Sequence, residues 1–485
     1  MRLLVLLASL VTVALAVTGC SDPGPARPGV LSAGIREPAT LLPADVTDQA
    51  GRLVTGVLWT PLADYDAATG ELTPRAAESI ESTDRVHWTV KLRPATFHDG
   101  TPVTAQSYVD TWKAVAASQW AAAPVLTKLL RARSITASTP DTIAVVLDRP
   151  SGQVPALLSA PGLVPLPASV LASHDWKGFA AAPVGNGPYR LDGAWRPGSG
   201  GTLKRVGDGV GKAAEIELRV GDPAAQYDAI KAGTLDLATE VPGEKHDAMH
   251  DDFGDDHHAS WALPRAGYLA FPVANPRFAD ATVRHGFALG VDRAALEAGP
   301  LAHQADPAKA LLPPADAPGE RSGTCRPCSF DAAAGKALLQ QAAFPGGATV
   351  YFGPSTEAWT RTLVVGLHKA LDVSVTAQPL SGAADGPSTL DVSLATASPY
   401  ELLSRLASES GYTDEVFRQN LELADAAATP EESGELYRLA ENQLLRDLPV
   451  APLWSGHGHA VWSSRVHDVL TTPFTGPVLA GIGVS

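Results

Sequence analysis

Cysteine is nearly absent from this chain: Cys20, Cys325 and Cys328 are the only three among 485 residues. A zinc framework is excluded, because one close pair without a second at the right spacing cannot complete a tetrahedral site. The pair in GTCRPCSF lies amid Pro, Gly and Ser instead of opening a helix after a strand. That disfavours redox chemistry and leaves a small structural disulfide, Cys325 to Cys328, pinning a loop. An excess of positive charge is missing too. Lys and Arg number 37 against 52 Asp and Glu, a formal charge of −15, so there is no basic footprint for nucleic acid. Cationic or zwitterionic ligands are compatible with that charge. Beyond the N-terminus no stretch reaches the ~20 apolar residues of a membrane helix. No fixed-period repeat is evident, and neither a Gly-x-Ser-x-Gly elbow nor a His-Glu-x-x-His helix occurs.

What is present begins at the N-terminus. Arg2 precedes an apolar run from Leu3 to Val17, which closes on Val17-Thr18-Gly19-Cys20. This reads as a secretory signal, too short and wrongly flanked for a span. Small residues before a cysteine resemble the lipobox of bacterial lipoproteins, which implies cleavage before Cys20 and its lipidation. Residues 1–19 are thus expected to be a signal peptide, and 20–30, rich in Pro and Gly, a lipidated cysteine with a flexible tether. The expected location is extracytoplasmic, anchored to the cell membrane through Cys20, with the rest of the chain soluble.

Periodicity then gives mixed α/β. VHWTVKLR, 86–93, alternates apolar and polar residues as a half-buried strand does. Tyr108, Trp112, Val115 and Ala116 recur at helical spacing behind Thr104, a candidate N-cap. Further strands are expected at 143–148, 215–220, 348–352 and 390–395, and helices at 224–232, 281–290, 330–342, 358–371 and 432–446. Pro and Gly clusters at 149–162, 183–201, 313–328 and 381–387 are expected to be long surface connections.

Six segments in order then resemble one family. EPATLLPADVTD with LVTGVLWTPLADYDAATGELTPRAAES, VHWTVKLRPATFHDGTPVTAQ, PVGNGPYRL, YDAIKAGTLDLA, GYLAFPVANPRFADATVRHGFALGVDRAAL and ELYRLAENQLLRDLPVAPLW are similar to the extracytoplasmic solute-binding proteins of the peptide/nickel class. These are the oligopeptide- and dipeptide-binding receptors of ABC importers. The resemblance implies an α/β, three-lobed, type II periplasmic-binding-protein-like fold whose ligand is enclosed between lobes that close by hinge motion. The implied lobes are 31–60 with 175–262 and 455–485, then an inserted 61–174, then 263–454.

Individual residues are weighed against that frame. His98-Asp99, followed by Gly100, has the look of an acid/base pair but the composition of a turn. MHDDFGDDHH, 249–258, gathers His250, His257 and His258 with four aspartates, and SGHGHAVW places His457 and His459 on one strand face. These five are secondary metal candidates beside the commoner reading of solvated or exposed surface. In peptide-binding relatives an aspartate pairs with the ligand's α-ammonium. The corresponding stretch here looks like LDVSLATASPYELL, with Ser398 at the aspartate position and Ala395 at a tryptophan position. A hydroxyl cannot neutralise a buried ammonium, so Asp391 is a substitute candidate, and Tyr268, Trp359 and Tyr400 are candidate ligand-packing aromatics.

The expectation is a non-enzymatic, monomeric substrate-binding component that needs no cofactor. It would capture a small solute, an oligopeptide first, and deliver it to the permease subunits of an ABC transporter. The alternatives are the same scaffold binding a metal chelate, haem or other non-peptide solute, and, less favoured, a secreted hydrolase.

Overall fold

Alternation in the sequence becomes alternation in burial. In the strand His87–Leu92, Trp88, Val90 and Leu92 are buried and His87 and Thr89 exposed. The computed structural model describes residues 27–66, 68–207, 209–318, 324–382 and 384–485; the expected signal peptide 1–19, Cys20 and residues 21–26 lie outside them. This strand belongs to a four-stranded antiparallel sheet ordered Ala77–Glu81, His87–Leu92, Thr142–Leu147, Ala132–Thr139. The helix Ala105–Ser118 packs on it through Tyr108, Trp112 and Val115. Thr104 caps that helix in a reciprocal box: its Oγ1 accepts from the Ser107 N–H, and Ser107 Oγ accepts from the Thr104 N–H.

A second, eleven-stranded mixed sheet runs through the rest of the molecule. One wing holds Tyr189–Leu191, Gly200–Arg205, Glu215–Val220, Val30–Ile35 and Leu237–Ala238; the other holds Ser388–Ser393, Ala348–Phe352 and Val375–Pro379. Two antiparallel strands of 13 residues each, His258–Ala270 and Val450–Trp462, join the wings. Their register breaks between Ala262 and Ala266, the bulge expected where a ladder must bend. Each wing has its own apolar core, one around Leu31, Trp59 and Tyr189, the others around Phe278, Phe287 and Leu367 and around Leu403 and Tyr437. Together with the core beneath the four-stranded sheet, these give three lobes.

The expected helices and strands appear with ends displaced by a few residues, for example Ala281–Leu289, Glu357–Leu371 and Pro430–Asp447. The two long joining strands were not expected as such, because Val450–Trp462 is buried along nearly its whole length and His258–Ala270 through its last five residues, so neither alternates. The stretch 149–162 is also not a surface connection: Val154, Leu157 and Leu158 of a short helix there are buried. Pro155 and Pro161 stand at helix starts, where the missing N–H costs nothing.

His98-Asp99 is a turn. Asp99 Oδ1 accepts from the Thr101 N–H at 2.9 Å and the Thr101 hydroxyl at 2.6 Å. Gly100 sits at φ +85° and donates back to the Phe97 carbonyl. The turn packs on another diagnostic stretch, PVGNGPYRL. The His98 N–H donates to the Gly185 carbonyl at 2.8 Å, and its Nε2 donates to the Gly187 carbonyl at 3.0 Å. A Cβ at Gly185 would stand 1.9 Å from the Leu58 carbonyl, so only glycine admits this approach to the helix end.

Candidate ligand-binding site

The helix Gln49–Leu58 starts on Asp48, whose carboxylate accepts from the Gly51 N–H, and ends at Trp59, whose indole N–H donates to the Pro165 carbonyl at 3.0 Å. Its C-terminal turn forms one wall of a cavity of about 550 Å³. The hairpin Ala63–Tyr65/Leu72–Pro74 and residues around Ala156–Val164 form a second wall; Pro314, Ala315, Thr396 and Ala397 form a third; Thr471–Val478 closes the side. All three lobes contribute, and the volume falls within the range of small-molecule sites. A smaller cavity of about 360 Å³ adjoins, lined by Gln153, Ser433 and Tyr437, and Tyr65 lines both.

The charge beside this space is unbalanced. Asp316, directly after Pro314 and Ala315, is wholly buried, and neither of its carboxylate oxygens has a hydrogen-bond partner. Burial, reinforced by Glu401, pushes its pKa well above the usual carboxylate range. Its field reaches Tyr65, whose pKa is raised to about 12 by burial and then by Asp316. Glu401 is half-buried and satisfied: it accepts from the N–H groups of Ala395 and Thr396 and from Thr396 Oγ1 at 2.8 Å. An unpaired buried carboxylate is costly unless a cation meets it.

The sequence candidates fall in different surroundings. Ser398 is buried, its hydroxyl 3.2 Å from Gln153 Oε1 of the smaller cavity's lining. Tyr400 lies at the contact between lobes, with Arg149 donating to its hydroxyl at 3.3 Å and the Arg131 guanidinium 4.9 Å from its ring centroid. Asp391 is held by Arg265 through two hydrogen bonds, 2.8 and 2.6 Å. Tyr268 is fully buried and donates to the Leu311 carbonyl, and Trp359 is buried edge-to-face against Trp454. None of Tyr268, Trp359, Asp391, Ser398 and Tyr400 lines either cavity, although Ala397 and Pro399, flanking Ser398, do. Asp316 and Tyr65 were missed. LLPPADAPG shows an aspartate among prolines, which reads as surface, and nothing in the string signals its burial.

Residues 71–374 match the family described as bacterial extracellular solute-binding proteins, family 5, middle region. This chain belongs to that family. Among curated relatives it is similar to the Escherichia coli protein YejA, 26% identical over 252 residues, 47% of this chain and 40% of YejA. It is also similar to the E. coli probable deoxycholate-binding periplasmic protein YgiS, 27% identical over 339 residues, 64% of this chain and 62% of YgiS. The matched stretches therefore span less than two thirds of either relative. The fold is that of the E. coli murein tripeptide-binding protein MppA in its unliganded open form, at TM-score 0.76 and 19% identity, covering 95% of this chain and 98% of MppA. The family 5 membership accords with the segments that carried the resemblance in the sequence.

The histidines of this family 5 protein separate into two groups. His250 is exposed and sits 3.2 Å from Asp255, His258 Nδ1 donates to the Gly254 carbonyl, and His257 is half-buried beside it. Part of that run is helical, Met249–Phe253, and Asp252 accepts from Tyr227 and Lys231. His457 and His459 are on one strand face as expected, ring centroids 5.9 Å apart, but not exposed. His459 is buried, its Nδ1 accepting from Ser260 Oγ and its Nε2 donating to the His303 carbonyl. His457 meets Asp306 at 2.9 Å. Cys325 and Cys328 form a disulfide in a short turn. Among the described residues no helix is long and apolar enough to cross a membrane.

Proposed function

We propose that this protein is the lipid-anchored, monomeric receptor of an ABC importer, capturing a small solute that carries a cationic group, an oligopeptide first, and delivering it to membrane permease subunits. The lobes would run 31–60 with 175–262 and 455–485, 61–174, and 263–454, with Cys20 as the membrane anchor. No bond is made or broken; the solute stabilises the closed arrangement that the permease recognises.

The observation that carries the ligand class is Asp316. A buried carboxyl without a partner, held neutral by burial behind Pro314 and Ala315 of the cavity wall, gains a counter-ion only from a cationic group, and so favours a cation over an anion. MppA, named for a tripeptide, supports a peptide; the deoxycholate for which YgiS is named is an anion and offers this carboxyl no counter-charge. Ser398 in place of an aspartate is compatible, because the counter-charge then comes from another segment of the third lobe.

Native mass spectrometry of the protein purified from its own host tests this. A ladder of short peptide masses is expected, competed away by added free peptides but not by their N-acetylated forms. A single adduct of bile-acid, haem or metal-chelate mass would overturn the peptide reading.

A further inference from the structure

On one edge, the strand Val450–Trp462 changes partners. Leu237–Ala238 pairs with it at Val461 and Trp462, and Ala305–Pro307 pairs with it from Trp454 to Gly456. The interval between them, outside both ladders, carries His459 and His457, whose N–H donates to the Gln304 carbonyl at 3.0 Å. Two turns fold over this gap, one following Leu237–Ala238 and one preceding Ala305–Pro307. They touch closely: a Cβ at Gly243 would stand 2.3 Å from the Ala302 carbonyl.

Each turn delivers a histidine. His246 and His303 stack with ring centroids 4.9 Å apart at 10°, and His246 meets His459 edge-on at 5.0 Å. Ala302 and His303 both take left-handed backbone, φ +45° and +59°, a conformation that non-glycine residues hold only when their surroundings impose it. Asp247 lies beside His246, its carboxylate 3.3 Å from the ring nitrogen. One donor atom each from His246, Asp247 and His303 falls within 4.8 Å of the others. Ligands of a single ion at ~2.1 Å stand roughly 3–3.5 Å apart, so small side-chain rotations complete the set. His246 and His303 keep 31% and 29% of their side-chain surface and Asp247 88%, which leaves room for them.

The surroundings fit a ligand set. His303 Nδ1 faces Glu297 Oε1 at 3.4 Å, which directs Nε2 outward as an ordering carboxylate does behind a metal-bound imidazole. His459 uses both ring nitrogens, on Ser260 and on the His303 carbonyl, and so fixes the turn without being a ligand itself. The neighbouring cation, Lys245, is turned away onto Asp228 at 3.1 Å.

We propose that His246, Asp247 and His303 bind a divalent first-row transition metal ion, with Glu297 and His459 as positioning residues. Two imidazoles and a carboxylate with positions left for water suit zinc or nickel. The ion would tie together two turns that belong to successive partners along one edge of a joining strand, and so stiffen the region where the wings meet. This site is separate from the solute cavity and does not depend on the ligand proposed there.

The test uses full-length protein in detergent, stripped with EDTA and titrated with zinc chloride and, separately, nickel chloride. One equivalent of either ion should bind saturably and raise the melting temperature. His246→Gln and His303→Asn, the latter chosen because asparagine tolerates left-handed backbone, should each weaken binding about tenfold or more, and His250→Gln should not. Melting of the stripped variants at the wild-type temperature separates ligand loss from misfolding; if His303→Asn melts early, His246→Gln decides alone. Absence of saturable binding, equal loss in His250→Gln, or wild-type affinity in His246→Gln would overturn the site.

Discussion

Arg131 and Asp425, 294 residues apart, form an ion pair that ties the four-stranded lobe to the C-terminal helices. Asp425 also accepts from Ser151 Oγ at 3.0 Å, its backbone carbonyl accepts from the Gly152 N–H at 2.7 Å, and Arg85 donates to the next carbonyl, Ala426, at 2.6 Å. Burial raises the Asp425 pKa and the two arginines, Arg131 and Arg149, oppose the rise. The contact is a fastening between lobes around a charge that cannot be left alone.

Asp425→Ala should therefore lower stability by about 3 kcal/mol, the low end for a broken buried pair, since Arg131 keeps 21% of its side-chain surface. Urea denaturation reads the midpoint, and an unchanged value would mean the pair is dispensable.

Asp316→Asn should melt no lower than the wild type without ligand, because a neutral amide replaces a partnerless carboxyl that burial already holds toward its neutral form. The raised folded-state pKa means that the wild-type residue favours folding below the unfolded pKa near 3.8 and loses that contribution as pH rises through the raised value. The variant should flatten that dependence. Affinity for the solute identified by mass spectrometry should fall by about tenfold or more, roughly 1.4 kcal/mol. Calorimetric affinity equal to the wild type would separate Asp316 from ligand binding.

His98 has its pKa lowered from 6.5, chiefly by burial. The unfolded chain then binds a proton before the folded one does, so stability should fall as pH drops through about 6.5. His98→Asn should melt with a shallower pH dependence between about pH 7 and pH 5. Parallel melting curves for the two proteins over that range would show that another group carries the slope.

Thr104→Ala should cost about 1 kcal/mol by opening the capping box with Ser107, and Thr104→Ser should recover most of it. Thermal melts of the three proteins rank them directly; an alanine variant as stable as the wild type would mean that water replaces the cap.

The sequence by itself determined the mixed α/β elements, because alternating strands such as His87–Leu92, the cap at Thr104 and the glycines of PVGNGPYRL are local patterns with one steric or hydrogen-bonding solution each, and its resemblance to the solute-binding family implied the three lobes. It also placed His98-Asp99 in a turn, since Asp99 and Gly100 satisfy each other's neighbours within four residues. Only the tertiary structure decided which side chains meet. Tyr268 and Trp359 read as ligand aromatics and are core, while Asp316 read as a loop residue and is a buried carboxyl without a partner. His246 and His303 carry no signal in the string at all; they come together because a strand edge exchanges one partner for another between residues 456 and 461. Periodicity reports what one element does with its own faces, whereas burial of a charge or convergence of ligands depends on segments brought together by packing, which no local pattern encodes.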